Sequence, residues 1–335
     1  MEDLYFSFVI PVYNRPDEVE ELLQSLVEQD YQKPYEIVLV EDGSTLDSKT
    51  VVEAFKSRLN ISYYFKENSG PGDSRNYGMR NAKGNYFLIL DSDCILPPQY
   101  LTEVQKELGS NFVHCFGGPD AAHESFSDIQ KAINYAMTSF LTTGGIRGRK
   151  NAVGKFQPRS FNLGISKEAF DKTKGFGNIH PGEDPDLTFR IWKAGYETRL
   201  FPKAFVFHKR RIDWKKYHKQ VNKFGMVRPI LNKWHPSTKK ITYWFPTFFV
   251  IGFILAVIVS FFKTTILLWL YALYFGVLFM ECLFTTKSFK ISMYALLAVV
   301  IQFWGYGKGF LKSTLFLTFS SKEPQEIFPH LFFKN

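Results

Sequence analysis

Asn85-Tyr86-Phe87-Leu88-Ile89-Leu90-Asp91-Ser92-Asp93-Cys94 holds a run of five residues rich in apolar side chains, then two carboxylates one residue apart. The run follows Lys83-Gly84 and reads as a strand covered on both faces by helices, the pattern of a parallel sheet. In open α/β sheets, ligands bind where such strands end. Two acids this close repel one another and need a counter-charge, which a hard divalent cation carrying a diphosphate supplies. Asp-Ser-Asp equally suits an Asx-turn leaving a strand, so the motif alone leaves both readings open.

Upstream, the pattern repeats. Ser7–Val12 reads as a first strand with Pro11 near its end, because proline cannot donate to the ladder. Tyr13-Asn14-Arg15-Pro16 forms a turn, and Val19, Leu22, Leu23, Leu26 and Val27 follow at helical spacing. Asp17, Glu18 and Glu20 crowd that helix's first turn, where the dipole favours acids. A second apolar strand, Glu36–Val40, runs into Glu41-Asp42-Gly43-Ser44. A helix near 46–58 and a strand over 61–65 come next. The loop Asn68-Ser69-Gly70-Pro71-Gly72 allows close approach to a ligand and leads into a helix over 73–82 carrying Arg75 and Asn76. Strands and helices alternating in this order predict an α/β fold with a doubly wound, mostly parallel sheet.

Downstream, the spacing predicts a helix over 98–108, a strand over 111–116 completing the sheet edge, and a helix over 129–141. Residues 142–155, rich in Gly, Arg and Lys, read as a mobile acceptor-side loop or a plain linker. A strand over 161–166 is followed by Gly175–Arg190, in which Asp184-Pro185 suits an N-cap with proline at the first helical position. The helix dipole there is expected to lower the carboxyl's pKa. Residues 197–208 read as one strand ending in His208, whose imidazole is a reasonable ligand for Mn²⁺, and less so for Mg²⁺.

The series VIPVYNR, EIVLVEDGS and GPGDSRNYGMRNAKGNYFLILDSD over residues 9–93 resembles the family 2 glycosyltransferases with the GT-A fold. The likeness covers roughly residues 5–208. It implies transfer of a sugar from a nucleotide-sugar donor, UDP-linked, with inversion at the anomeric carbon and with a divalent cation, Mn²⁺ or Mg²⁺. Carried over, Pro11, Tyr13 and Asn14 would edge the base site, Asp42 would hydrogen-bond the base, Arg75 would line the donor site and Asp91 would face the ribose. Asp93 and His208 would hold the metal. Glu183-Asp184 matches the acidic pair whose Asp is the catalytic base. Asn162, in the acceptor-side strand, and His180 would face the acceptor. Turn roles for Asn14 and Asp42, and a surface salt bridge for Arg75, are the plain alternatives.

Charge and hydropathy describe a second region. The chain of 335 residues carries a net charge of +9. From Lys209 to Lys240 there are eleven Lys and Arg against the single acid Asp213, a local net of +10, so the remainder is close to neutral. Charge packed against the first long apolar run suits a segment lying on anionic lipid; a nucleic-acid binder would spread it over the folded domain. Ile241–Phe262, Thr264–Phe284 and Ile291–Tyr306 read as three spans, since about 20 residues at 1.5 Å rise cover the ~30 Å hydrocarbon core. Gln302, Gly305, Gly307 and Lys308 blur the third, and Phe310–Phe319 either extends it or lies in the interface. Trp214, Tyr217, Val221 and Phe224 give the basic segment a broken apolar face, as in an interfacial helix. The expected organisation is a catalytic domain over 1–208, a basic juxtamembrane segment over 209–240, membrane helices over 241–319 and a tail over 320–335. The positive-inside rule places the catalytic domain in the cytoplasm, anchored to the inner membrane, and the N-terminus shows no basic start with a long apolar core that would mark a signal peptide.

Three cysteines, Cys94, Cys115 and Cys282, lack zinc-site or disulfide-scaffold spacing. Processive members of the family carry Gln-x-x-Arg-Trp, whereas this chain has Gln220-Val221-Asn222-Lys223-Phe224, with both informative positions changed. Single transfers to a lipid-linked or glycan acceptor are therefore expected, with a processive synthase and a catalytically dead sugar-nucleotide binder as the rivals. Asp42, Asp91, Asp93 and Asp184 all being present argues against the dead fold.

Overall fold

The computed structural model describes residues 3–121, 126–144, 155–209 and 213–333. The chain divides into two compact units. One holds the described residues up to 121, then 155–209 and Phe332–Phe333; the other holds 126–144 and 213–331.

The first unit is built on a seven-stranded sheet. In chain order its elements are β1 (Phe6–Val12), α1 (Pro16–Val27), β2 (Glu36–Asp42), α2 (Lys49–Phe55), β3 (Ile61–Lys66), α3 (Pro71–Asn81) and β4 (Tyr86–Leu90). Then follow β5 (Cys94–Ile95), α4 (Tyr100–Ser110), β6 (Cys115–Gly117) and β7 (Asp120–Ala121). The second unit's α5 (Asp128–Thr138) and α6 (Phe140–Thr143) intervene. The first unit resumes with β8 (Asn162–Ser166), α7 (Lys167–Thr173), α8 (Glu183–Lys193), β9 (Thr198–Leu200) and β10 (Val206–His208). The strand order is β3-β2-β1-β4-β8-β6-β9, parallel except where β8 runs against both β4 and β6. A second sheet, β5-β10-β7, pairs His208 with Cys94.

Period-two alternation explains why the central strands read as unbroken apolar runs. Phe8, Ile10, Leu39, Leu88 and Leu90 face α1, α2 and α4 through Leu22, Leu26, Val52 and Val104. Their neighbours Val9, Phe87 and Ile89 face α3, α7 and α8 through Met79, Phe170, Leu187 and Ile191. Both faces are dry, so both registers are apolar. The parallel strands β1, β2 and β4 all end on one edge of the sheet, placing Tyr13–Arg15, Asp42–Ser44 and Asp91–Asp93 in one row.

Several expectations change. The strand expected at 111–116 is shorter and interior, because β9 pairs outside it. Residues 197–208 form two strands, one in each sheet, separated by the turn around Pro202. Gly182, with φ 125°, caps α8, which starts at Glu183, so Asp184 is the second helical residue and not the N-cap. Most of the Gly- and Arg-rich loop expected over 142–155 lies outside the described residues.

In the second unit, α9 (Trp214–Trp234), α10 (Phe245–Ser260), α11 (Ile266–Thr286), α12 (Phe289–Phe319) and a short α13 (Pro324–Ile327) follow. Three helices among the described residues are long and apolar enough to cross a membrane, Ile241–Ser260, Ile266–Thr286 and Phe289–Phe319. The third apolar run and its extension are one helix of 31 residues. Two of the residues that blur it, Gln302 and Gly305, meet α9, which buries Tyr217, Val221, Met226 and Ile230, while Gly307 lies against Pro246 and Thr247 at the start of α10. The Tyr217 hydroxyl donates to Gln302 Oε1 at 2.7 Å, and Asn222 Nδ2 donates to the Gly305 carbonyl at 2.9 Å. Side chains at Gly305 or Gly309 would run into α9, and one at Gly225 would run into the Tyr306 carbonyl. The basic segment is therefore a packed helix, with Lys215, Lys216 and Lys219 exposed beside its buried stripe. Gly225→Ala is expected to wedge the two helices apart, lowering stability by about 1–3 kcal/mol, the usual cost of overpacking. A fall in Tm in detergent checks this; an unchanged Tm would mean that the helices tolerate the extra methyl. In the same unit, Glu281 of α11 accepts from the Tyr135 hydroxyl at 2.5 Å and from the Ser139 hydroxyl at 2.7 Å, pinning α5 and α6 to the helical bundle.

Candidate active site

The strand-end row is organised by side chains of the loops themselves. Asn14 adopts φ 55°, a left-handed conformation that asparagine tolerates. Its Oδ1 accepts from the backbone amides of Thr45 and Leu46, both at 2.9 Å, and its own amide donates to Ser44 Oγ at 2.8 Å. It thus clamps the β1 turn to the β2 turn. Pro11 lies within β1 opposite Val40, while the Tyr13 ring is 52% exposed at the rim. Asp42 is buried and accepts from Ser69 N, Gly70 N and Lys66 Nζ, at 3.0, 3.0 and 2.7 Å. It fixes the glycine loop that opens α3.

Arg75 projects from α3 with its side chain 4% exposed. One end donates to Asp91 Oδ1 at 2.6 Å, the other to Glu183 Oε1 at 3.3 Å. Arg75 therefore bridges the strand-end acid to the acidic pair of α8, which the sequence separates by about a hundred residues. Glu183 also meets His180 Nδ1 at 2.9 Å. Burial works to raise the Glu183 carboxyl, but His180 and Arg75 outweigh it and hold it at about 2. Asp184 moves the other way. Burial and the neighbouring Glu183 charge raise it above the ordinary aspartate value, against the pull of Arg75 and Arg159. Its Oδ1 is shielded from solvent and accepts no hydrogen bond from the described residues. The net shift is thus opposite to the lowering expected from the helix dipole.

Asp93 and His208 meet through the pairing of β5 with β10. His208 Nε2 lies 3.1 Å from Asp93 Oδ1, and the imidazole stacks on Phe161 at 4.6 Å. Asp93, Cys94 and His208 offer ligand atoms that all lie within 4.8 Å of one another. The Cys94 thiol donates to the Phe161 carbonyl at 3.3 Å within the core, so the oxygen and nitrogen donors of Asp93 and His208 are the pair left for a cation. That donor set fits a hard or borderline divalent ion, with imidazole favouring Mn²⁺ over Mg²⁺.

Three polar residues of the site were not assigned roles from sequence. Arg15 Nη1 stands 3.3 Å from Asp93 Oδ2. Lys66, at the end of β3, pairs with Asp42. Asp120 Oδ2 lies 4.0 Å from His208 Nδ1, on the side of the ring away from Asp93. Lys66 and Asp120 lie at the ends of short strands, and that position was the available signal; the pairing that joins β7 to β10 is not visible in sequence. His180 is half-exposed beside Glu183. Asn162 is not. It is fully buried, its Oδ1 accepts from the Tyr100 hydroxyl and its Nδ2 donates to the Ala204 carbonyl, both at 2.8 Å, so its amide ties β8 to neighbouring segments and does not face an acceptor.

A mixed, mostly parallel sheet with flanking helices, acids at its strand tips and a small second sheet carrying Asp93's neighbour define a GT-A-like fold. Residues 7–173 match the family model for Glycosyl transferase family 2, and the chain belongs to that family through this domain. Glu183, Asp184 and His208 lie beyond the matched residues. An uncharacterized glycosyltransferase of Rickettsia conorii is 40% identical over 200 residues, covering 56% of this chain and 31% of that protein. The chain thus spans about a third of the length of the first curated relatives it matches. The GalNAc(5)-diNAcBac-PP-undecaprenol beta-1,3-glucosyltransferase of Campylobacter jejuni is 25% identical over 206 residues, 61% of this chain and 62% of that one. Among solved structures, the mannosyltransferase PcManGT from Pyrobaculum calidifontis, in complex with GDP-Man and Mn²⁺, superposes with a TM-score of 0.63 at 16% identity, over 91% of this chain and 88% of that one. This likeness shows the fold.

Proposed function

We propose that the protein is a membrane-anchored, inverting glycosyltransferase that moves a sugar from a nucleotide-sugar donor, UDP-linked, to a hydroxyl of a lipid-linked or glycan acceptor in cell-surface glycan synthesis. The observation that carries this reading is the Asp91–Arg75–Glu183 chain beside Asp184. It joins the donor-side strand tip to a carboxylate whose raised pKa suits a general base. Asp184 takes the proton of the acceptor hydroxyl as that oxygen attacks the anomeric carbon from the face opposite the nucleoside diphosphate, and one displacement inverts the centre. Glu183 stays ionised, keeping Arg75 in place and Asp184 basic. Pro11, Tyr13, Asn14 and Asp42 shape the base side, Asp91 faces the ribose, and His180 borders the acceptor. Asp93 and His208 would hold a Mn²⁺ or Mg²⁺ ion, which when bound would supply positive charge for the leaving diphosphate. Asp120 and the Phe161 ring orient His208 for that ligation.

The catalytic domain lies within residues 1–208 without the helices over 126–144, which belong to the helical unit; 209–240 is the basic segment at the membrane surface, 241–319 the spans, and the tail over 320–335 returns Phe332–Phe333 to the first unit. The basic excess before the first span favours a cytoplasmic catalytic domain on the inner membrane. A relative named for a PP-undecaprenol substrate supports a lipid-linked acceptor. The test uses the full chain in anionic liposomes. Replacing Lys215, Lys216 and Lys219 by Ala is expected to weaken transfer to a polyprenyl-linked acceptor, since each lysine at an anionic surface is worth about 1 kcal/mol. Donor hydrolysis should be unchanged. Equal transfer by the triple variant across vesicles of rising anionic content would remove these lysines from membrane contact.

A further inference from the structure

The loop 175–182 delivers Glu183 and Asp184, and it is held at two places. Its first half is fixed to α3. Asn76 Nδ2 donates to the Phe176 carbonyl and Asn76 Oδ1 accepts from the Phe176 amide, both at 2.8 Å, while the Arg75 guanidinium lies 5.2 Å from the Phe176 ring centre. Its second half is held by a segment from the far end of the sequence, after all the apolar helices. The Phe333 amide donates to the Asn178 carbonyl at 3.0 Å, and Phe332 bridges antiparallel to Ile179, which is 1% exposed. The Phe333 ring lies 5.8 Å from the His180 imidazole and directly against Gly70, where any side chain would collide with it. Gly70 is the residue whose amide binds Asp42, and His180 is the residue that binds Glu183.

We propose that Phe332 and Phe333 brace the catalytic-acid loop, with Phe333 as a positioning residue that ties it to the glycine loop of the donor side. A backbone hydrogen bond and a one-residue bridge register the segment on Asn178 and Ile179. The ring then fills the space between Gly70 and His180, limiting how His180 can leave Glu183. These contacts run to Asn178, Ile179, His180 and Gly70, so the segment acts on the chemistry through the loop. The consequence for turnover rests on the reading of Asp184 as the base; the mechanical part does not.

The experiment compares the full-length protein with Phe333→Ala and Phe333→Tyr in detergent, reading backbone hydrogen exchange peptide by peptide, then steady-state transfer. In Phe333→Ala, exchange over 176–183 should rise by about tenfold or more while β1–β4 stay protected, the signature of local opening. Turnover should fall by about 10-fold or more with donor KM changed by less than about threefold, because misplacing a reacting group by about 1 Å can cost 10²-fold. Phe333→Tyr should restore both. If β1–β4 lose protection in the alanine variant, Phe333→Leu takes its place. Unchanged exchange over 176–183 overturns the brace, and faster exchange with unchanged turnover overturns Phe333 as a positioning residue. If the parent transfers no sugar, the reading of Asp184 fails, and the exchange data alone decide the brace.

Discussion

Asp184→Asn should leave a folded protein that binds donor normally and transfers sugar about 10²-fold or more slowly, the scale of general-base loss. The geometry sharpens the reason. Asp184 is not the cap of α8, since Gly182 is, and its buried Oδ1 accepts no hydrogen bond from the described residues. Exchanging that oxygen for an amide therefore removes no capping bond, and the change in Tm should be small. The raised pKa gives this prediction a pH signature. The base works only when deprotonated, so in the parent the acid limb of kcat/KM should lie above the ordinary aspartate value of 3.8, and activity should rise as pH increases through it. Glu183, held at about 2, stays charged throughout that range and does not contribute the limb. Near-parental turnover in Asp184→Asn, or an acid limb at or below 3.8, would make Asp184 a structural residue.

Asp93→Ala should abolish metal-dependent donor binding and reduce transfer to background while the domain stays folded. Asp93 lies at the far end of a strand-leaving turn, where its side chain meets Arg15 and its carboxylate is the oxygen donor beside His208. The loss is best read directly, by titrating Mn²⁺ into the parent and the variant and following the paramagnetic signal of free ion. The parent should retain Mn²⁺ in the presence of nucleoside diphosphate, and the variant should not. Parental activity in excess chelator would take the metal out of the mechanism.

Much of this was legible in the chain because the deciding features are local. Tyr86–Leu90 had to be a doubly covered strand once its apolar run was seen beside Asp91 and Asp93, and the glycine turn after Asp42 follows from the same logic. The long-range pairings were not legible. β8 reverses the sheet's direction, β9 pairs outside β6, and β10 brings Asp120 to His208, all through contacts that no local pattern encodes. Asn162 shows the limit of a family likeness: its motif points to the acceptor side, but its amide is consumed by Tyr100 and Ala204. Gly182 shows a limit of capping rules. Asp-Pro reads as cap and first residue, yet a glycine able to adopt φ 125° starts the helix two residues earlier. The glycines of α12 were legible only as interruptions, because their close packing requires partners, α9 at Gly305 and Gly309 and α10 at Gly307.

The most direct test of the account is nucleoside diphosphate release by the full-length protein in membranes, offered a panel of nucleotide sugars with and without a polyprenyl-linked acceptor. The account predicts release with at least one UDP-linked donor that requires Mn²⁺ or Mg²⁺, is stimulated by the acceptor and is lost in Asp184→Asn. Release from no donor, or release indifferent to both the metal and Asp184, would contradict it.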